Sequence, residues 1–167
     1  AHTLRGIVNH GMYERYHHDV VGVNSRLDSI QAAVLNAKLP LLDEYNEARQ
    51  NAARKYTAAF EGHKNIIAPS ICDICDCHVF HQYTLRIIDA DRNGLMQHLL
   101  DKGIPCAIYY PIPLHSQKAY ADARYKEEDF PVTNQLVKEV ISLPMHTELD
   151  DEQIQFITQS ILEFLNK

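Results

Sequence analysis

The chain has 167 residues, 46% hydrophobic and 23% charged, a composition that suits one globular domain or a large piece of one. Its net charge of −6, without a basic cluster, argues against a nucleic-acid-binding surface. No apolar run approaches the roughly 20 residues of a membrane-spanning helix, and the first residues lack the basic-then-apolar order of a signal peptide. The four cysteines do not resemble a disulfide framework at this length, so we expect a cytoplasmic protein.

The first 21 residues are rich in Gly, His and Tyr and show neither helical nor strand periodicity. We therefore expect an irregular lead-in that continues from an upstream domain. The sequence also begins with Ala1 rather than methionine, which predicts that it is a fragment of a longer protein.

The longest pattern in the chain predicts a spine helix against which the other elements pack. Asp28, three residues before Gln31, is typical of a helix start. A helix from Asp28 to Phe60 would be roughly 50 Å long, and Pro40 predicts a kink or a break within it. Apolar or aromatic side chains recur along it every three or four residues: Leu27, Ile30, Val34, Ala37, Leu41, Tyr45, Ala48, Ala52, Tyr56 and Ala59.

A strand is predicted for His78–Ile88, where β-branched and aromatic residues are concentrated. Because side chains alternate along a strand, one set forms the more apolar face, which we expect to meet the helices. That face consists of Val79, His81, Tyr83, Leu85 and Ile87.

Three more helices are predicted, each with an Asp or Pro near its start: Asp91–Lys102, about Val132–Val140, and from Asp150 onward. Short strands are expected at about Cys106–Tyr109 and near Ser142. This order predicts an α/β (α+β) fold, with a small sheet of two to four strands, helices packed on it and the spine helix across it.

The segment CDICDCH contains Cys72, Cys75, Cys77 and His78, whose thiolate and imidazole groups are spaced as zinc ligands can be. A structural zinc site usually takes its two ligand pairs from separate segments, and the chain has no second CxxC pair. We therefore interpret the segment as a polar loop and predict no metal site.

Several polar residues have both a structural and a functional interpretation. His81, within the predicted strand, is either a hydrogen-bonded core residue or a catalyst. His115 follows an extended loop fixed by Pro111 and Pro113, a suitable place to present a side chain to a ligand.

Asn24 and Arg26 precede the predicted start of the spine helix. They either cap that helix or contact an anion, because a helix N-terminus, an amide and a guanidinium together suit a phosphate. The chain contains no Gly-rich phosphate loop, nucleophile elbow or HExxH motif.

Four blocks carry a family resemblance, which extends from about Gly11 to Phe164. In order they read GVNSRLDSIQAAVLNAKLPLLDEYNEARQNAARKY, HVFHQYTLRI, GIPCAIYYPIPLHSQKAY and SLPMHTELDDEQI. They resemble the C-terminal part of the DegT/DnrJ/EryC1/StrS aminotransferases, which are homodimeric pyridoxal-phosphate enzymes that aminate nucleotide-linked keto sugars.

The resemblance implies the small C-terminal domain of a fold-type I aminotransferase, with the long helix connecting the two domains. Residues 1–26 would be a tail leading out of an absent large domain, and residues 27–167 the small domain.

The resemblance also implies roles for individual residues. Asn24, with Arg26, would bind the cofactor phosphate, the asparagine reaching across to the other subunit's site. His81, Tyr110 and His115 would lie toward the substrate.

None of the chain's lysines lies in the context expected of the family's Schiff-base lysine, so the chain alone is predicted to be inactive and to hold no catalytic residue. The lysines are Lys38, Lys55, Lys64, Lys102, Lys118, Lys126, Lys138 and Lys167. We expect glutamate as the amino donor. The NSRLDSIQAA segment favours amination at C3 of the hexose. The alternatives are a non-catalytic regulator with the same fold and a stand-alone interaction module.

Overall fold

The computed structural model of the protein describes residues 1–70 and 78–166. It divides into two compact units, Ala1–Leu42 and Asp43–Lys167. The loop predicted around Cys72 lies outside the described residues. Within the described ranges, no helix combines the length and the hydropathy required to cross a membrane.

The first unit begins with ordered elements. Helix α1 (His2–Val8) is followed by the antiparallel strands β1 (Met12–Glu14) and β2 (His17–His18). The expectation of an irregular lead-in was therefore wrong. The elements have seven, three and two residues, too few for a periodicity to be read from the sequence.

The predicted spine helix is interrupted, as Pro40 indicated. Helix α2 (Ser29–Lys38) ends in the 3-10 turn Leu39–Leu41, which contains Pro40, and helix α3 (Leu42–Phe60) follows. Asp28 is the N-cap of α2, and its carboxylate accepts a hydrogen bond from the Ile30 amide at 2.8 Å. The start of the helix and its break were thus predicted correctly.

The second unit is built on a three-stranded antiparallel sheet in the order β3-β4-β5. The strands are β3 (Ile66–Ile67), β4 (Tyr83–Ile87) and β5 (Val140–Leu143). The strand expected at Cys106–Tyr109 is reduced to a single bridge between Ala107 and Ser142.

Strand β4 is shorter than predicted because the alternation fails before Tyr83. Phe80 is buried and has a positive φ of 46°, whereas Val79 and His81 are exposed. A left-handed residue cannot continue an extended strand, so the apolar side switches at this point. The apolar face predicted for Tyr83, Leu85 and Ile87 is confirmed, since all three are buried.

Helices α3, α4 (Arg92–Asp101) and α6 (Asp151–Leu165) close the core. Helix α5 (Pro131–Glu139) lies beside β4, and none of its described residues is buried. The buried hydrophobic side chains form one cluster: Ala52, Ala53, Tyr56, Phe60, Ile66, Phe80, Tyr83, Leu85, Ile87, Leu95, Leu99, Ile104, Ile141, Leu143, Ile154, Ile157 and Ile161.

Helix α6 has a reciprocal capping box at its start, and its loss should be measurable. The Asp150 carboxylate accepts from the Gln153 amide at 2.7 Å, and the Gln153 side chain accepts from the Asp150 amide at 3.2 Å. We expect Asp150→Ala to lower the free energy of unfolding by about 1 kcal/mol. Asp150→Asn, which keeps a capping oxygen, should change it little. Urea denaturation of both variants tests this, and equal losses would contradict the capping role.

Candidate functional site

A crossing of two backbone segments in the first unit fixes the position of Asn24. The residues around it hydrogen-bond to the end of α1, with Val23 N–H to Ile7 O at 2.8 Å and Ser25 N–H to Val8 O at 2.9 Å. A Cβ at Gly22 would lie 2.1 Å from the amide nitrogen of Gly11, so only glycine permits this approach. Asn24 therefore stands on a closely packed backbone frame.

Asn24 and Arg26 are the predicted cofactor-binding residues, and both are exposed. Within residues 1–70 and 78–166, the Asn24 side chain makes no hydrogen bond, and Arg26 has no carboxylate partner. The Arg26 guanidinium contacts Asn9 Oδ1 only at 3.4 Å. An amide and a guanidinium that are free to donate fit a phosphate.

The helix N-terminus contributes less to this anion site than the sequence suggested. The Asp28 carboxylate already caps α2 through the Ile30 amide. A second anion at the same turn would be repelled by that carboxylate. The fit to a phosphate therefore rests on Asn24 and Arg26.

His81 lines a cleft of about 520 Å³ in the second unit. It is exposed and lies just before β4, so its interpretation as a core residue does not hold. The lining residues are His81, Gln82, Pro105, Cys106, Ala107, Tyr109, Ser142, Leu143, Pro144, Met145 and His146.

Tyr110 lines a neighbouring and more apolar cleft of about 500 Å³. The YYPIPLH loop forms one wall, and Thr133, Leu136 and Val137 of α5 form the other. Tyr109 lines this cleft and the His81 cleft, so the two are adjacent.

Two arginines position α5, the wall of the Tyr110 cleft. Arg86 of β4 pairs with Glu139 at 2.8 Å, and Gln135 and Arg86 together hold the pKa of that carboxyl below its ordinary value. Arg92 donates to the carbonyl oxygens of Val140 at 2.7 Å and Val137 at 3.1 Å. These bonds satisfy carbonyl groups at the end of the helix.

His115 lines a third cleft, of about 650 Å³. Its ring stacks on Phe130, with centroids 4.4 Å apart, and its Nε2 atom is buried without a hydrogen-bond partner in the described structure. Leu114 and Thr133 line both this cleft and the Tyr110 cleft. The structure thus places His81, Tyr110 and His115 in three successive clefts along one loop.

Two cleft residues were missed by the sequence analysis. His146 follows β5 in the SLPMH block, and its only signal was its place directly after a predicted strand. Cys106 lies outside the cysteine segment, and nothing in its sequence context singled it out.

Cys106 should be a slow nucleophile. Burial raises the pKa of its thiol, and its Sγ lies 3.7 Å from the carbonyl oxygen of Met96. The thiolate, which is the reactive form, is therefore scarce at neutral pH. We expect iodoacetamide to alkylate Cys106 much more slowly at pH 7 in the folded chain than in urea, as measured by peptide mass spectrometry. Equal rates in the two states would contradict this protection.

The sequence profile of the DegT/DnrJ/EryC1/StrS aminotransferase family matches residues 1–162. The chain belongs to this family. Among its curated relatives, a pleiotropic regulatory protein of Geobacillus stearothermophilus is 42% identical over 98% of the chain and 44% of its own length. The UDP-N-acetyl-3-dehydro-alpha-D-glucosamine 3-aminotransferase of Acidithiobacillus ferrooxidans is 41% identical over 98% of the chain and 42% of its own length.

The fold agrees with a solved DegT DnrJ EryC1 StrS aminotransferase from Brucella abortus, at a TM-score of 0.88 and 36% identity over 99% of this chain and 43% of that chain. The crystal structure of S. venezuelae DesV in complex with a ketimine intermediate matches with a TM-score of 0.89 and 33% identity. The match covers 98% of this chain and 43% of the DesV chain. The predicted aminotransferase fold class is thereby confirmed, and the chain spans less than half the length of these relatives.

Proposed function

We propose that this chain is the C-terminal part of a pyridoxal-phosphate-dependent aminotransferase that aminates a nucleotide-linked keto sugar. The observation that carries the proposal is the family match over residues 1–162. The 41% identity to an enzyme named as a UDP-sugar 3-aminotransferase supports amination at C3. Glutamate is the proposed donor, and the cytoplasm the proposed location.

The cofactor would be held in part by the first unit. Pyridoxal phosphate supplies the electron sink that lets an amino group pass between two substrates. Asn24 and Arg26 would donate hydrogen bonds to its phosphate, because both side chains are exposed and uncommitted to a carboxylate in the part of the chain that the structure describes. In a homodimer, Asn24 would serve the site of the opposite subunit.

The second unit would hold the sugar nucleotide. His81, Tyr110 and His115 line adjoining clefts that combine apolar walls with a few polar groups, an arrangement typical of small-molecule sites. In this proposal the residues 1–26 lead out of a large domain, residues 27–167 form the small domain, and the Schiff-base lysine lies in that large domain. The 167-residue chain by itself would then be inactive.

The direct test is an assay of the full-length protein that contains this chain. With pyridoxal phosphate, L-glutamate and UDP-N-acetyl-3-dehydro-glucosamine, we expect formation of 2-oxoglutarate and of a 3-amino sugar nucleotide, detected by mass spectrometry. The 167-residue chain alone serves as the control and should give neither product. Absence of product with this substrate and with dTDP-linked 3-keto sugars would overturn the proposal.

A regulatory role is the second candidate, favoured by the name of the Geobacillus stearothermophilus relative. A regulator with this fold would bind the sugar nucleotide without turning it over. The same assay, together with calorimetric titration of the full-length protein with the sugar nucleotide, separates the two functions, because binding with no product would favour the regulator.

A further inference from the structure

The His81 cleft has a lining suited to an anion. His81 and His146 contribute two imidazoles, and Gln82 and Tyr109 add an amide and a hydroxyl. None of the described residues that line it is Asp or Glu. In a protein with a net charge of −6, a cleft that offers donors without a carboxylate favours a negatively charged ligand.

The hydrogen bonding of His146 fixes which ring nitrogen donates. The Glu148 amide donates to His146 Nδ1 at 3.2 Å. A ring nitrogen that accepts carries no proton, so the proton of the neutral imidazole lies on Nε2. In residues 1–70 and 78–166, the hydrogen bond of the His146 ring is the one at Nδ1, so Nε2 remains available to a ligand.

The segment after β5 that carries His146 is hydrogen-bonded to a buried residue of the core. The hydroxyl of Tyr56, which lies on α3 with its ring fully buried, donates to the carbonyl oxygen of Pro144 at 3.1 Å. Burial raises the pKa of Tyr56, so its hydroxyl stays protonated and continues to donate. This bond fixes the backbone two residues before His146, which holds the imidazole in place before a ligand binds.

We propose that His146 is a substrate-binding residue whose Nε2–H donates to an anionic oxygen of a substrate. The inference rests on the proposed function, in which two substrates carry such oxygens: the diphosphate of the sugar nucleotide and the carboxylates of the amino donor. Neither the sequence motifs nor the family match assigns this role to His146.

Two substitutions separate a ligand donor from a structural acceptor. His146→Asn places an amide oxygen near the position of Nδ1, so it retains the acceptor for the Glu148 amide and loses the distal donor. His146→Gln places an amide nitrogen near the position of Nε2, so it retains the distal donor. A ligand donor predicts rescue by Gln, and a structural role predicts rescue by Asn.

Binding to the full-length protein, measured by calorimetry, provides the readout. Inorganic pyrophosphate represents the diphosphate, and glutarate represents the donor carboxylates without the amino group. We expect His146→Asn to raise the Kd of one probe by about tenfold, the usual scale for a hydrogen bond to a charged group. His146→Gln should stay close to wild type for that probe, and the probe affected identifies the substrate.

Three results would overturn the inference: neither probe binds the wild type, the Asn variant binds both probes as well as the wild type, or both variants weaken binding equally. Thermal unfolding of each variant confirms that it is folded. Because the readout is binding, a protein that holds pyrophosphate through His146 and transfers no amino group would refute the proposed function alone.

Discussion

Replacing Leu85 by alanine should lower the free energy of unfolding by about 3 kcal/mol, the scale measured for large-to-small changes in protein cores. Leu85 is 0% exposed in the central strand β4, and its pairing partner Ile141 is also fully buried. Removal of three side-chain carbons leaves a cavity at the centre of the sheet that its neighbours cannot fill. Urea denaturation of the 167-residue chain measures the change.

The matched control is Leu100→Ala on α4. Leu100 is 43% exposed, whereas Leu95 and Leu99 on the same helix are fully buried. Leu100→Ala should lower the free energy of unfolding by less than about 1 kcal/mol, within the range of surface substitutions. If the two variants were equally destabilised, the sheet would not be the centre of the core.

If Asn24 donates to the cofactor phosphate as proposed, replacing it by alanine in the full-length protein should weaken cofactor binding by roughly 10- to 100-fold, because the lost hydrogen bond would be to a charged group. The backbone around Asn24 bonds to α1 through main-chain atoms, which the substitution leaves intact. Stability should therefore change little while the affinity for pyridoxal phosphate falls. Titration of the apoenzyme with the cofactor measures this affinity. An unchanged affinity with reduced stability would show that Asn24 has only a structural role.

Mixing of subunits tests whether Asn24 serves the opposite site. One inactive variant lacks the Schiff-base lysine, and the other carries Asn24→Ala. If Asn24 acts across the dimer, one site of each heterodimer carries both defects and the other is intact, so activity returns. If it acts within its own subunit, both sites stay damaged and the mixture stays inactive. Subunit exchange and a severe defect in Asn24→Ala alone are established first.

Elements with a long apolar period or a strong cap could be predicted from the sequence. The stripe of Ile154, Ile157 and Ile161 behind the Asp150 cap reproduces α6, and Asp91 caps α4 through the Gly94 amide at 2.9 Å. Both signals are local, because a cap and a helical face are specified by residues within four positions of each other.

Features that depend on tertiary contacts could not be predicted in the same way. Phe80 has a positive φ, a conformation that the sequence usually signals with glycine. Its burial reverses the side-chain alternation that assigned His81 to the core face. The donor role inferred for His146 depends on the cleft that it shares with His81, and these residues lie far apart in the sequence.

The pairing of β4 with β5 also has a consequence for the order of folding. Tyr83 pairs with Leu143, so this sheet closes a loop of about 60 residues that contains α4, the YYPIPLH segment and α5. The β3–β4 pairing spans far fewer residues, and contacts that are distant in sequence form more slowly than local ones. The walls of the Tyr110 and His115 clefts lie inside the closed loop, and one end of that loop borders the His81 cleft. We therefore infer that the surface formed by these three clefts is among the last parts of the newly synthesised chain to assemble, after the helices that support it have formed.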